Sequence, residues 1–220
     1  MLIIRGLVLT LSFLLFSAIV FFCLPARNVF LWHPILMCSG FLLAMLNGIH
    51  TLSRDSFAFL TSKSERIKAH WIFESLAALL LFLGFIAIYA NKVLNGKPHF
   101  TTWHGLLGLF TVIYCISQLL FGFVFHWNYN LWRSVLTYST ARFLHAVSGT
   151  VLYCSVSLTF ILGFYTNWFQ SNITLLFGSN STTVLYSCLL IVCLGAFSVF
   201  LQIVVKYNNF IQLKLSTSRT

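Results

Sequence analysis

Six stretches of this chain are apolar for long enough to cross a lipid bilayer, and that one feature removes most folds. A span needs about 20 mostly apolar residues, because hydrocarbon offers the backbone no hydrogen-bond partner outside the helix itself. The qualifying runs are Gly6 to Leu24, Pro34 to Leu52, Trp71 to Ala90, Trp103 to Phe125, Phe143 to Phe164 and Val184 to Val205. The expected fold class is all-α: a polytopic membrane protein of six transmembrane helices, one domain over residues 1–220, with five short loops and two short tails. Composition agrees, since 59% of residues are hydrophobic and 7% charged, against about 25% charged in soluble domains. The first run follows Arg5 as a signal peptide would, but it outlasts an h-region and no small-x-small cleavage site follows.

The net charge of +10 reports topology. Its basic residues sit in loops and form no aromatic-basic reading surface, which argues against nucleic acid. Ten of the thirteen lie at one face: Arg5, Arg54, Lys63, Arg66, Lys68, Arg133, Arg142, Lys206, Lys214 and Arg219. The other face has Arg27, Lys92 and Lys97. The positive-inside rule then places both termini in the cytoplasm. The two N-x-S/T sequons, at Asn172 and Asn180, share the fifth loop, on the opposite, lumenal or extracellular side. Composition leaves an endomembrane (ER or vesicle) and the plasma membrane both open, and a homodimer as well.

Six cysteines, Cys23, Cys38, Cys115, Cys154, Cys188 and Cys193, lie within or beside spans without a C-x-x-C pair and read as small packing residues. Pro25 and Pro98 fall in loops, and Pro34 opens the second span where its missing N–H costs least.

Ionisable side chains at membrane depth are expensive, so each carries a functional hypothesis. Four histidines open spans two to five: His33 in HPILM, His70 in AHW, His104 in TWHG and His145 in FLHAVSG. Consecutive helices alternate in direction. Spans two and four start on the non-cytoplasmic face and spans three and five on the cytoplasmic face, so His33 can meet His104 and His70 can meet His145. Two facing imidazoles in an apolar bundle suit a six-coordinate haem, and two such pairs suit two haems stacked across the membrane. Gly40, Gly108 and Gly149, seven, four and four residues after His33, His104 and His145, are expected on or near the same faces, where a porphyrin needs room. With both axial positions filled by imidazole, electron transfer is favoured over oxygen chemistry. The rival use of the same histidines is a haem-free transporter or proton relay, although transport sites for divalent ions usually recruit more carboxylates than Glu74 alone.

These segments carry a resemblance. The runs HPILM, AHW, GKPHFTTWHG and HAVSGT are similar to those of the cytochrome b561 family, and most like its short, stand-alone, tumour-suppressor-type branch, over about residues 30–205. The resemblance implies a core four-helix bundle of spans two to five, with two haem b groups per chain. It implies that His33 and His104 ligate the non-cytoplasmic haem iron and His70 and His145 the cytoplasmic one. It implies oxidoreductase activity, namely transmembrane electron transfer from cytoplasmic ascorbate to ferric iron or monodehydroascorbate outside. The arginine-containing run that the vesicle branch links to ascorbate has no clean copy here.

Ascorbate is a monoanion, so a cytoplasmic approach should be basic. Lys63, Arg66 and Lys68 precede His70 and Arg142 precedes His145. They are candidates for ascorbate or haem propionates, Lys68 and Arg142 foremost, although positive-inside loops contain such residues anyway. His99, five residues before His104, is the candidate on the acceptor side. His50 and His126 end spans two and four next to polar residues and rank below the four. Glu74 lies one turn beyond His70 on the same face, where it is expected to hydrogen-bond a ligand imidazole or propionate network.

Overall fold

The chain is seen as a computed structural model that describes residues 2–24, 28–53, 57, 59–128, 130 and 133–217, with side chains to residue 208. Pro25, Arg27, Arg54 and Arg219, and the side chain of Lys214, lie outside the described residues. The described residues are helical apart from short connections, and six helices are long and apolar enough to cross a membrane.

Span one is α1 (Leu2–Cys23). Span two runs over Val29–Thr51 as a short 3-10 turn, α2 (Trp32–Cys38), a π-helical segment (Ser39–Met45) and α3 (Leu46–Thr51). Spans three, four and five are α4 (Lys63–Leu94), α5 (Trp103–Trp127) and α6 (Tyr138–Phe164). The fifth loop differs from the short coil expected, because it folds as α7 (Asn167–Phe177) before α8 (Ser181–Thr217). With 32 residues α4 is about 48 Å long, well beyond the roughly 30 Å hydrocarbon core. It therefore begins seven residues before His70 rather than at it.

Polar caps set these starts. Ser62 and Glu65 form a reciprocal capping box at α4, with Glu65 N–H donating to Ser62 Oγ at 3.1 Å and Ser62 N–H to Glu65 Oε2 at 2.8 Å. Thr102 accepts from Gly105 N–H at α5 and Thr137 from Thr140 N–H at α6. Ser62 and Thr137 each precede a histidine by eight residues, so His70 and His145 sit at matched depth, about 12 Å along their helices.

Helix packing relies on small residues, as expected where lipid gives no hydrophobic drive between helices. Gly40 is turned away from the haem-facing side expected of it. A Cβ there would come within 3.0 Å of Leu81 Cγ and 3.2 Å of the Ala77 carbonyl, so it seats span two on α4. Gly40 is the second residue of the π segment. Phe41, Tyr153 and Phe160 pack together in the core with tilted rings, the latter two with centres 4.9 and 4.5 Å from Phe41. Phe13, Phe82, Ile113, Phe123, Leu158 and Phe197 point outward, as lipid-facing side chains do.

An even number of spans puts both termini on one side. We expect the α7 side to be lumenal or extracellular, and the two sequons are not equivalent there. Asn172 is half-buried and its amide donates to the Trp168 carbonyl at 2.8 Å, whereas Asn180 is exposed. Glycosylation should therefore be lost in N180Q and little changed in N172Q, read as a gel shift sensitive to endoglycosidase. A glycan-free wild type whose C-terminal tag is reachable only from outside would reverse the orientation.

Candidate functional site

The bundle brings the four histidines together in two pairs at opposite ends. His33 and His104 have ring centres 6.1 Å apart with planes crossing at 78°, and His70 and His145 are 6.4 Å apart at 88°. A metal held between two imidazole nitrogens at about 2 Å from each places the ring centres about 6 Å apart.

The other ring nitrogen of each histidine is already engaged. Nδ1 donates to the Gly84 carbonyl from His33, to Gly48 from His70 and to Thr159 from His104, each at 3.0 Å. A proton on Nδ1 leaves the lone pair on Nε2, the tautomer a metal requires. In the fourth ring, His145, Nδ1 lies 3.1 Å from the Gln118 side-chain amide.

These supports follow one rule. Gly84 is fourteen residues beyond His70 on α4, Thr159 fourteen beyond His145 on α6, and Gln118 fourteen beyond His104 on α5. Gly48 is fifteen beyond His33, and the π segment between them takes up the extra residue. Each helix thus carries a ligand and, fourteen or fifteen residues further along, the support of its neighbour's ligand. Fourteen residues of helix rise about 21 Å, which is the axial spacing of the two sites.

Each pair borders a cavity. The one at His33 and His104, about 350 Å³, is lined by Phe30, Phe85, Tyr89, Lys92, His99 and Gly163 among others. The one at His70 and His145, about 220 Å³, is lined by Trp71, Gly122, His126, Tyr138, Arg142 and Lys206 among others. Gly108 and Gly149 line these cavities and Gly40 lines neither. Two glycines with no part in the sequence reading press on the ligands: a Cβ on Gly122 would be 2.9 Å from His145 Cε1, and one on Gly163 would be 3.2 Å from His104 Cε1. G122V should therefore displace His145 and broaden or lower the spectroscopic signal of that site by half or more, leaving the His33–His104 signal intact in a low-temperature spectrum.

The remaining candidates are placed as follows. His99 stacks on Tyr89 with ring centres 4.3 Å apart, beside Lys92, which donates to the Pro98 carbonyl. Arg142 lines the His70–His145 cavity and packs over the Tyr138 ring at 5.7 Å. Lys63 and Lys68 are exposed and off that cavity's wall, and Arg66 donates to the Leu60 and Thr61 carbonyls. Lys206, counted in the sequence only for topology, joins Arg142 on the wall, and Tyr207 O–H donates to the Arg142 carbonyl at 3.4 Å. His50 pairs with no imidazole: it is buried between Gln202 Oε1 at 3.1 Å and Ser198 Oγ at 3.3 Å. His126 packs on Trp127 at the cavity rim.

Glu74 departs from one half of its expectation, the bond to the ligand imidazole. Its Oε1 is 3.7 Å from His70 Nδ1, too far for a hydrogen bond, because the Gly48 carbonyl has taken that proton. Oε1 is buried with no hydrogen-bond partner, an orphaned polar atom in the wall of the cavity.

Among the described residues no three His, Cys, Asp or Glu side chains converge, so each site offers a pair of imidazoles. Imidazoles held through Nδ1, with ring centres about 6 Å apart, beside apolar cavities kept open by glycine, fit a b-type haem. The fold and these pairs define a polytopic helical membrane protein with the donor set of a b-type cytochrome.

Comparison with known proteins agrees. A family model described as eukaryotic cytochrome b561 matches residues 32–170, and the chain belongs to that family. Transmembrane reductase CYB561D2 of Mus musculus is 32% identical over 166 residues, covering 74% of this chain and 72% of that protein. Probable transmembrane reductase CYB561D1 of Mus musculus is 29% identical over 150 residues, 68% of this chain and 65% of that protein. Plasma membrane ascorbate-dependent reductase CYBRD1 of Mus musculus is 27% identical over 138 residues, 61% of this chain and 45% of that protein. The chain thus spans about two thirds of the length of the first two relatives. All four histidines fall inside the family match and Lys206 lies beyond it.

Proposed function

We propose that this protein is a transmembrane reductase that carries electrons from cytoplasmic ascorbate to an acceptor on the other face, through two b-type haems held by His70–His145 and His33–His104. The observation that carries the proposal is the presence of two imidazole pairs about 6 Å apart at opposite ends of one bundle. A haem bound at each pair supplies reversible one-electron chemistry; the protein supplies position, access and insulation.

On the cytoplasmic side Arg142 and Lys206 draw an anionic donor to the cavity mouth, and Glu74 is the one acidic side chain among the described residues of that wall. The Nδ1 bonds to Gly48, Gly84 and Thr159 hold their rings at fixed orientation, so little reorganisation accompanies a change of charge nearby. Phe41, Tyr153 and Phe160 fill the space between the sites and keep water out of it. On the other face Lys92 and His99 border the cavity, a setting for a ferric chelate or the monodehydroascorbate radical anion. The ascorbate monoanion gives up one electron, and a proton to water, on one side; on the other, one electron reduces ferric to ferrous iron, or with a proton from water returns the monodehydroascorbate radical anion to ascorbate.

The test is haem content per chain of the purified protein, with absorbance spectra before and after ascorbate. Two haems per chain, both reduced by ascorbate, are expected. One haem per chain would sink the two-site reading, and reduction by dithionite but not by ascorbate would remove ascorbate as donor.

A further inference from the structure

Three of the four ring supports are backbone carbonyls, which only accept; the fourth is a side-chain amide, which can present either end. The Gln118 amide sits mid-span on α5 within a closed set of partners. Its Nε2 donates to the His145 carbonyl at 2.8 Å and lies 3.1 Å from His145 Nδ1. Its Oε1 accepts from Ser148 Oγ at 3.0 Å. Tyr114 O–H donates to the Ser148 carbonyl at 2.9 Å and is 2.8 Å from Ser148 Oγ. Phe121 stacks on the imidazole at 5.9 Å. In this orientation the amide N–H meets the Nδ1 lone pair, which leaves the proton on Nε2, the wrong tautomer for a metal ligand.

A half-turn of the amide trades its bond to the His145 carbonyl for one from the ring. Oε1 then accepts from Nδ1–H, Nε2 donates to Ser148 Oγ, and the Ser148 hydroxyl turns to donate to Tyr114. The His145 carbonyl gives up the Gln118 bond and keeps the one it makes within α6, and the side chain shifts so that Oε1 clears that carbonyl oxygen. Hydroxyls and a primary amide can be read in both directions, which a backbone carbonyl cannot.

We infer that Gln118 is the positioning residue of His145: through the Tyr114–Ser148 relay its amide selects the imidazole tautomer and sets the donor strength of the His70–His145 site alone. The inference rests on the haem reading above and extends it. An acceptor on Nδ1 raises the basicity of a ligand imidazole and stabilises the oxidised metal; a carboxylate does so more and an apolar group not at all.

The experiment is spectroelectrochemical titration of the full-length, haem-loaded protein, with each potential assigned by the spectra of H145A and H104A. In Q118E the reduction equilibrium of the His70–His145 haem should fall about tenfold, which is about 59 mV for one electron. In Q118L it should rise by a similar factor. The His33–His104 haem should stay unchanged in both, and S148A, which frees the amide to turn, should give a smaller shift at the same haem. If Q118L fails to fold, Q118E and S148A decide. Unchanged potentials in both, or a shift in the His33–His104 haem, would overturn the inference. Potentials are measured with mediators and need no ascorbate, so failure of the ascorbate reading leaves this test standing. A protein that binds no haem would overturn both.

Discussion

Alanine at His70 or at His145 should remove the same haem, halving haem content, and should abolish rapid reduction by ascorbate while the other haem keeps its low-spin spectrum. Alanine at His33 or at His104 should remove the other one. The double variants within a pair should lose little more than either single, since each pair acts as a unit on one metal. The physical basis is the geometry: His70 and His145 approach from different helices to 6.4 Å, His33 and His104 to 6.1 Å, and no imidazole from the opposite end enters either contact. Haem per chain and low-temperature absorbance should sort the four variants into two classes. Grouping His33 with His70 would require ligands from opposite ends of the bundle, and the proposed site would be wrong.

Reversing charge at the cytoplasmic cavity should be the next largest effect. R142E/K206E should slow reduction by ascorbate by roughly 10- to 100-fold, because steering of an anion into a low-dielectric cleft is lost and replaced by repulsion. A neutral reductant should be slowed little, and about 0.5 M salt should narrow the difference between wild type and variant. K68Q should act weakly, since Lys68 is exposed and lies off the cavity wall that Arg142 and Lys206 share. Stopped-flow traces with ascorbate and a neutral dye make the comparison. Equal slowing with both would mean that the substitutions damage the His145 site instead.

The surprise in the cation set lies in which residues converge. Along the chain, Lys68 stands two residues from His70 and Lys206 stands sixty-one from His145. Proximity in sequence favours Lys68. Yet a helix turns about 100° per residue, so a neighbour two positions away points to a different side, whereas α8 packs against α6 and delivers Lys206 and Tyr207 to the Arg142 turn. Gln118 had a signal that went unused: an amide in the middle of an apolar span is itself costly and asks for partners.

What the sequence determined by itself is whatever follows from local physics. Long apolar runs dictate helices because lipid satisfies no backbone group, and alternating helix direction dictates which histidines share an end. Those two rules put His33 at the same end as His104 and His70 at the same end as His145, while His50 and His126 are set aside only by their polar surroundings. What only the tertiary structure decided is the phase and contacts between helices. Packing seats Gly40 on α4, and the π segment at Ser39–Met45 makes the His33-to-Gly48 interval one residue longer than its three counterparts. The same packing brings the Gly48 carbonyl to His70 ahead of Glu74. A single widened turn has no signature in hydropathy, because it arises from the fit between two surfaces, and a carbonyl that supports a ligand from another helix is the same atom in every residue type.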